Sequence, residues 1–334
     1  MRITIVGAGA IGTWLGVRLA QAGFDISVLA RGATLAAIQR SGMRLTLGDQ
    51  VLSGQVRASD RPAELGAADV VIVSLKGPAL ASVAPAIGEL IGPRTAVLSA
   101  MNGVPWWFFH GLPGNIGYAS LSAIDAGGQI SVAIPPACVL GCVVHASCAT
   151  REPGWAIHKN GNGLIIGEPN GQSSQRLDAV IAAFRTAGFE ATVSPRIQQD
   201  IWYKLWGNMT MNPISALTGA TCDRILDDPL IRDFLRRAMA EAAEIGAHIG
   251  CPIAESGEDR MKVTRKLGAF KTSMLQDVEA GRALEIDALL AAPREIGRRV
   301  GVATPNMDAL HGLIRLFAAV KGLNPPGPPP ISDR

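Results

Sequence analysis

The sequence predicts an α/β chain, with a doubly wound parallel sheet in the N-terminal half followed by an all-helical C-terminal half. Three observations carry this expectation. Short, β-branched, near-continuously apolar runs alternate with helical stretches as far as about residue 190, the pattern of a parallel sheet covered by helices. From about Pro195 onward, long segments with helical apolar spacing replace them. At 334 residues and 48% hydrophobic composition, the chain can bury a large core and exceeds the usual size of one domain.

The elements follow in order. "RITIVGAG" at the start reads as the first strand, "GTWLGVRLAQAG" as the helix after it and "FDISVLAR" as the second strand. "DVVIVSLK" and "RTAVLSAMNG" are further buried strands. "ACVLGCVVHAS" and "GLIIGEP" close the sheet, with a hairpin expected through the glycine- and asparagine-rich "HKNGNG" between them. The second half reads as helices over "IQQDIWYKLWGNMTMN", "DPLIRDFLRRAMAEAAEIGAHIG", "LEIDALLAAPREIGRRVG" and "MDALHGLIRLFAAVKG". The expected division is a nucleotide-binding domain over 1–194, a helical domain over 195–322 and a proline-rich tail over 323–334, with a cleft between the two domains.

Composition excludes several functions. Thirty-one basic against 28 acidic residues give a net charge of +3 with no long run of either sign, so no nucleic-acid partner is expected. No apolar run reaches the ~18 to 20 residues of a membrane helix, so no membrane partner is expected. The chain opens directly onto "ITIV" without a basic leader, which predicts a cytoplasmic protein. The five cysteines lack paired zinc spacing. Although Cys138, Cys142 and Cys148 cluster near His145, they read as small hydrophobes in a reducing compartment, and no metal is expected.

Gly7, Gly9 and Gly12 fit G-x-G-x-x-G, directly after a strand and at the start of a helix, where a dinucleotide's pyrophosphate would sit. Gly7 would allow the tight turn, Gly9 the close approach of phosphate and Gly12 the packing of helix on strand. Ala8, Ala10 and Ile11 complete this cofactor-binding turn, whose helix end offers free N–H groups and a positive dipole. Arg31 stands at the end of the second strand, where an acidic residue would select NAD and an arginine accommodates the 2′-phosphate of NADP. NADP(H) is therefore expected, the alternative being a solvated loop charge. Lys76, at another carboxyl end, either meets a phosphate or snorkels from the sheet edge.

Reduction of a carbonyl by hydride leaves an alkoxide, which needs a proton donor and hydrogen bonds to hold the substrate. "IWYKLWGNMTMN" places Lys204, Asn208 and Asn212 at i, i+4 and i+8, within an arc of about 80° on one helix face. Trp202, Leu205, Trp206 and Met209 lie on another side. Spacing alone leaves two readings open, an amphipathic helix with a solvated polar face and a polar small-molecule site.

Taken together, the glycine turn, Arg31, Lys76, "MNG" at 101–103, "WYKLWGNMTMNPISALT", "KTSMLQD" and "LEID" resemble the ketopantoate (2-dehydropantoate) reductase family, in order from Met1 to about Gly322. The resemblance implies an N-terminal Rossmann-type domain, a helical C-terminal domain, and NADPH-dependent reduction of a 2-oxo acid to a 2-hydroxy acid. It makes Lys204 the general acid, Asn208 and Asn212 substrate-holding groups, and Ser273 a contact to the substrate carboxylate. Glu285 would lie beside the nicotinamide ribose and orient substrate, Asn102 would touch the cofactor near the nicotinamide, and Ala146 would offer it a backbone contact. Ser273 could instead be a helix cap, Glu285 an exposed acid and Asn102 a turn residue. A homodimer is compatible with this reading.

The departures from the family are equally definite. Cys222 stands where relatives often carry a further asparagine, and Leu290 and Ala291 stand where they often read Asn-Gly. Both changes reduce polarity and put contacts to a distal substrate hydroxyl in question. The competing functions are a reductase of another bulky 2-oxo acid, an opine-type dehydrogenase, and an NADP(H)-sensing protein without turnover.

Overall fold

The computed structural model describes residues 1–112 and 120–324, so most of the proline-rich tail, from 325 on, lies outside the described residues. The chain divides into two compact units. The first comprises Met1–Ser120 and Asp125–Ile201, the second Leu121–Ile124 and Trp202–Arg334.

The first unit is built on one ten-stranded sheet. Its first part runs β1 (Arg2–Val6), α1 (Ala10–Gln21), β2 (Asp25–Leu29), α2 (Gly32–Ser41), β3 (Met43–Leu47), β4 (Gln50–Gly54), β5 (Arg57–Ser59) and α3 (Pro62–Leu65). Then come β6 (Ala68–Val73), α4 (Gly77–Gly88), β7 (Ile91–Ser99), α5 (Gln129–Ala133), β8 (Val139–Glu152), β9 (Trp155–Gly167), α6 (Gln175–Thr186) and β10 (Glu190–Val193). Strands β5, β2, β1, β6, β7 and β8 pair in that order, all parallel. This is the doubly wound core the apolar runs predict. In β1 every residue after Arg2 is buried, because a central strand covered on both sides has no face for water.

Trp14 of α1 is fully buried; it meets Phe189 edge-on at 4.9 Å and stacks on His158 at 5.6 Å. Burying side chains of this size contributes about 1.5–3 kcal/mol each, and the row Trp14, Leu15, Val17 and Leu19 locks α1 onto the sheet. The amino end of α1 is thereby fixed against β1.

One expected turn is elsewhere. The hairpin predicted through "HKNGNG" lies instead at Pro153–Gly154, since Glu152 pairs with Trp155 and the antiparallel ladder runs on to Gly141↔Gly167. Gly154 takes the positive φ of 73° that the tight turn requires. The residues 158–163 sit inside β9, where Gly161, also at positive φ (77°), accompanies a slip of register against β8. Glycine there marks a bulge rather than a chain reversal. The bulge also divides the labour of β9: residues 155–158 pair with β3, and 163–166 with β10.

The second unit is helical. It contains most of α7 (Ile197–Thr218), then α8 (Cys222–Asp227), α9 (Pro229–His248), α10 (Gly257–Arg265), α11 (Ser273–Glu279), α12 (Ala292–Val300) and α13 (Pro305–Lys321). The unit boundary, between Ile201 and Trp202, falls within α7. Helix α7 continues past Asn212 through Pro213, whose neighbours Met211, Asn212, Ile214 and Ser215 are all buried; tertiary packing overrides the break that proline favours. The segment read as one helix from Leu284 contains a π-helical turn at Asp287–Ala291 before α12, with Pro293 in the first α-helical turn. Among the described residues no helix is long and apolar enough to cross a membrane, and no cluster of His, Cys, Asp and Glu could hold a metal ion.

Candidate active site

In the first unit, the parallel strands end together and their following residues share one edge. Beyond Val6, Leu29, Val73 and Ser99 come the glycine turn, Arg31, Lys76 and Asn102. Sheets of this kind bind ligands at the carboxyl ends of their strands. Strand β8 runs past its last pairing with β7, Ser99↔Gly141, and carries Ala146 beyond that edge. Gly161 allows the approach of β9 there, for a Cβ on it would lie 2.4 Å from the His145 oxygen and 3.0 Å from Ala146 Cα.

The three glycines of the turn differ sharply in their surroundings. Gly7 has φ +98° and sits against the backbone of Ser74 and Leu75, 2.9 Å from where its Cβ would be. A Cβ on Gly12 would fall 2.0 Å from the Gly7 oxygen and 2.5 Å from Ser74 Oγ, which no rotamer change relieves. Gly9 meets nothing within 4 Å. Two glycines are thus required by the protein's own packing, while the third faces open space at the start of α1. That helix has no side-chain cap and no acidic residue in its first turn, leaving its positive end for an anion.

Ser74 escaped the sequence reading. Its hydroxyl donates to the Gly7 carbonyl at 2.8 Å and ties the glycine turn to the end of β6. Its place in "VIVSLK", directly after the buried run, was the available signal. Arg31 is exposed and precedes α2 in extended conformation; Lys76, half-buried, precedes α4 in the same way. Asn102 and Ala146 are half-buried.

In the second unit, the tryptophans of α7 set its rotation. Trp206 Nε1 donates to the Met239 carbonyl at 2.7 Å and Trp202 Nε1 to the Ala242 carbonyl at 3.1 Å, both on α9. Gly246 makes room for this, since a Cβ there would lie 2.5 Å from Trp202 Nε1. With that side pinned to α9, Lys204, Asn208 and Asn212 are held on a different side of α7. Lys204 and Asn208 are half-buried, and Asn212 is only 7% exposed, so the row is not a solvated polar face.

Asn212 Nδ2 lies 3.5 Å from Ser273 Oγ, bringing these two expected site residues together. The cap of α11 is Thr272, whose side chain accepts from Leu275 N, so Ser273 is not the capping residue and is exposed at the first position of the helix. Glu285 is 8% exposed, which removes the reading of it as a surface acid. It stands just before the π-helical turn, a deformation often found near functional residues. Cys222 is buried at the start of α8, its backbone N–H bound to the Phe270 carbonyl, and burial pushes its thiol up to about 11. Leu290 is fully buried.

Comparison with known proteins adds a second line. Residues 3–106 match the family described as "Ketopantoate reductase PanE/ApbA", and 196–318 match its C-terminal part. A Mesorhizobium japonicum protein named 2-dehydropantoate 2-reductase is 43% identical over 96% of this chain and 99% of its own. A Halobacterium salinarum protein of the same name is 29% identical over 95% and 98%. A crystal structure from Ralstonia solanacearum MolK2, described as a candidate ketopantoate reductase, superposes with TM-score 0.93 at 59% identity, covering 96% of this chain and 99% of that one. A D-mandelate dehydrogenase bound to NADH, at 19% identity and TM-score 0.81, shares the fold.

Proposed function

The chain belongs to the ketopantoate reductase family, and from that premise we propose that it reduces a 2-oxo acid to the 2-hydroxy acid with NADPH, 2-dehydropantoate to pantoate being the substrate pair. The observation that carries this reading is the polar row on α7, a half-buried lysine and amide and a second, buried amide with Ser273 against it. A sensor of NADP(H) has no use for such a row.

The first unit fits the cofactor. Gly7 and Gly12 form a turn that any Cβ would disrupt, Gly9 leaves the space a pyrophosphate would need, and α1 directs its uncapped amino end there. In this reading Gly7 to Gly12 hold the pyrophosphate, Arg31 the 2′-phosphate and Lys76 a phosphate oxygen. Asn102, Ala146 and Glu285 contact the nicotinamide end. When bound, NADPH supplies the hydride. The chain's own part is to orient the acid and deliver a proton: Asn208, Asn212 and Ser273 hold the substrate, Glu285 helps orient it, and Lys204 Nζ gives a proton to the carbonyl oxygen as charge develops there.

Five cysteines held as thiols among the described residues fit a cytoplasmic setting. A homodimer fits the exposed Leu313, Leu316 and Val320 on α13, and a monomeric mass by light scattering would remove it. Loss of NADPH absorbance across a panel of 2-oxo acids tests the activity. Turnover of ketopantoate supports the reading, and no turnover of any 2-oxo acid contradicts it. With Cys222 and Leu290 replacing amides, discrimination by a less polar pocket amounts to about 1–3 kcal/mol, so kcat/KM for 2-oxoisovalerate should lie within about a hundredfold of ketopantoate. A preference above about ten-thousandfold would show that other groups read the hydroxyl.

A further inference from the structure

Helices α12 and α13, both packed on α9, carry a cluster of cations that belongs to neither the glycine turn nor the row on α7. Arg294 and Arg298 stand one turn apart on α12, and His311 and Arg315 one turn apart on α13, so each pair shares one side of its helix. The two pairs meet. Arg294 Nη1 lies 2.6 Å from His311 Nδ1, and Arg294 Nε donates to the Asp308 carboxylate, which also accepts from the Thr304 hydroxyl at 3.0 Å. An arginine can only donate, so His311 Nδ1 is the acceptor and the ring proton sits on Nε2. Burial, with the charges of Arg294, Arg315 and Arg298, pushes His311 down to about 4, and the ring is neutral near pH 7.

The cluster is short of negative charge. Asp308 is the acid that opposes the three arginines at the ring. Glu295, the acid of α12, is engaged by the backbone N–H groups of Ser122 and Ala123 and by Arg299, and Glu241 of α9 holds the start of α13 through Asn306 and Met307. Arg298 and Arg315 are exposed, and among the described residues they make no hydrogen bond or ion pair. Three guanidinium charges against one carboxylate leave two positive charges, with two guanidinium forks and the His311 Nε2 proton still to be used. A carboxylate brings one charge and two oxygens. A phosphate group brings close to two charges and three terminal oxygens, and guanidinium forks match it closely. We propose that this face of α12 and α13 binds the phosphate group of a small soluble molecule, with Arg298 and Arg315 clasping it from the two helices and His311 Nε2 donating a third contact. Arg294 is the positioning residue, since its bond to Nδ1 sets the tautomer that makes Nε2 a donor.

The inference is independent of the reductase reading, because its test reads binding and not turnover. Inorganic phosphate is titrated calorimetrically into wild-type, Arg298→Gln, Arg298→Lys and Arg315→Gln protein at pH 8 and constant ionic strength, with saturating NADP+ present to fill the glycine turn. Acetate and chloride serve as comparison anions. Histidine ring signals are followed by NMR in parallel, that of His311 being assigned by its absence in His311→Gln. The wild type should bind one phosphate per chain, and each glutamine variant should bind it about ten- to a hundredfold more weakly, the scale of a lost charge-assisted pair. Arg298→Lys should recover part of the loss, since it restores the charge without the planar fork. Without phosphate the glutamine variants should melt no lower than wild type, because each removes a like charge, and in the wild type phosphate should shift the His311 signal. An unmoved His311 signal, equal phosphate affinity in wild type and both glutamine variants, or acetate or chloride binding as tightly as phosphate overturns the proposal. Phosphate binding seen only when NADP+ is omitted assigns the anion to the glycine turn and overturns it too.

Discussion

The glycine turn of the first unit and the polar row of the second are built by opposite means. In the turn, the missing side chains matter: Gly7 adopts φ +98°, Gly12 would drive a Cβ to within 2.0 Å of a backbone oxygen, and Ser74 ties the result to the next strand. In the row the side chains matter, and their direction comes from elsewhere, from two tryptophan hydrogen bonds to carbonyls of α9. A backbone device is local and leaves no room for a side chain at Gly7 or Gly12. A side-chain device is assembled from distant helices, and each member can be removed with the fold intact. Variants should therefore separate cofactor binding from chemistry.

The largest expected effect is in the row. Lys204→Ala should lower kcat by about a hundredfold or more, the usual scale of general acid catalysis, while NADPH affinity stays unchanged. Equal loss of NADPH binding, measured by fluorescence titration, would break the division between turn and row. Next, Arg31→Asp should weaken NADPH about ten- to a hundredfold and spare NADH, as expected for a lost arginine–phosphate pair. The same change in both cofactors would remove the assignment of Arg31.

The glycines sharpen the comparison further. Gly12→Ala should destabilise by on the order of 1–3 kcal/mol, a drop of several degrees in melting temperature, because the overlap is with backbone. Gly9→Ala has open space around it and should melt like wild type while binding NADPH less tightly. If the two variants behave alike, the distinction between packing glycine and ligand glycine is wrong.

The smallest effect is a pH dependence in the second unit. Burial, with Arg294 and Arg315 nearby, pushes His311 down to about 4 from its usual 6.5. Between those values the unfolded chain binds more protons than the folded one, so stability is lost as pH falls through that window. The ring is only partly buried, and the loss is on the order of 1 kcal/mol. Thermal melts of wild type and His311→Gln across this range should converge at acid pH; parallel curves would contradict the assignment.

How much of this was legible in the sequence follows from the same contrast. The parallel core and the glycine turn could be read because their signals, apolar runs and G-x-G-x-x-G, lie within a few residues of each other. The "HKNGNG" hairpin misled because asparagine and glycine serve a bulge as well as a turn, and only the ladder from Glu152–Trp155 decides between them. On α7, spacing displayed the row but left open whether it faced water. Burial of Asn212 and the tryptophan bonds to α9 answer that, and both come from residues about 30 to 60 positions away.

The most direct test of the central claim is the stoichiometry of one reaction. Wild-type enzyme is given a limiting amount of ketopantoate with excess NADPH, and NADPH consumed and pantoate formed are both quantified. One pantoate for each NADPH, with no NADPH lost when substrate is omitted, is the predicted result. Tight NADPH binding with no pantoate formed would contradict it and leave the chain a binder of the cofactor rather than a reductase.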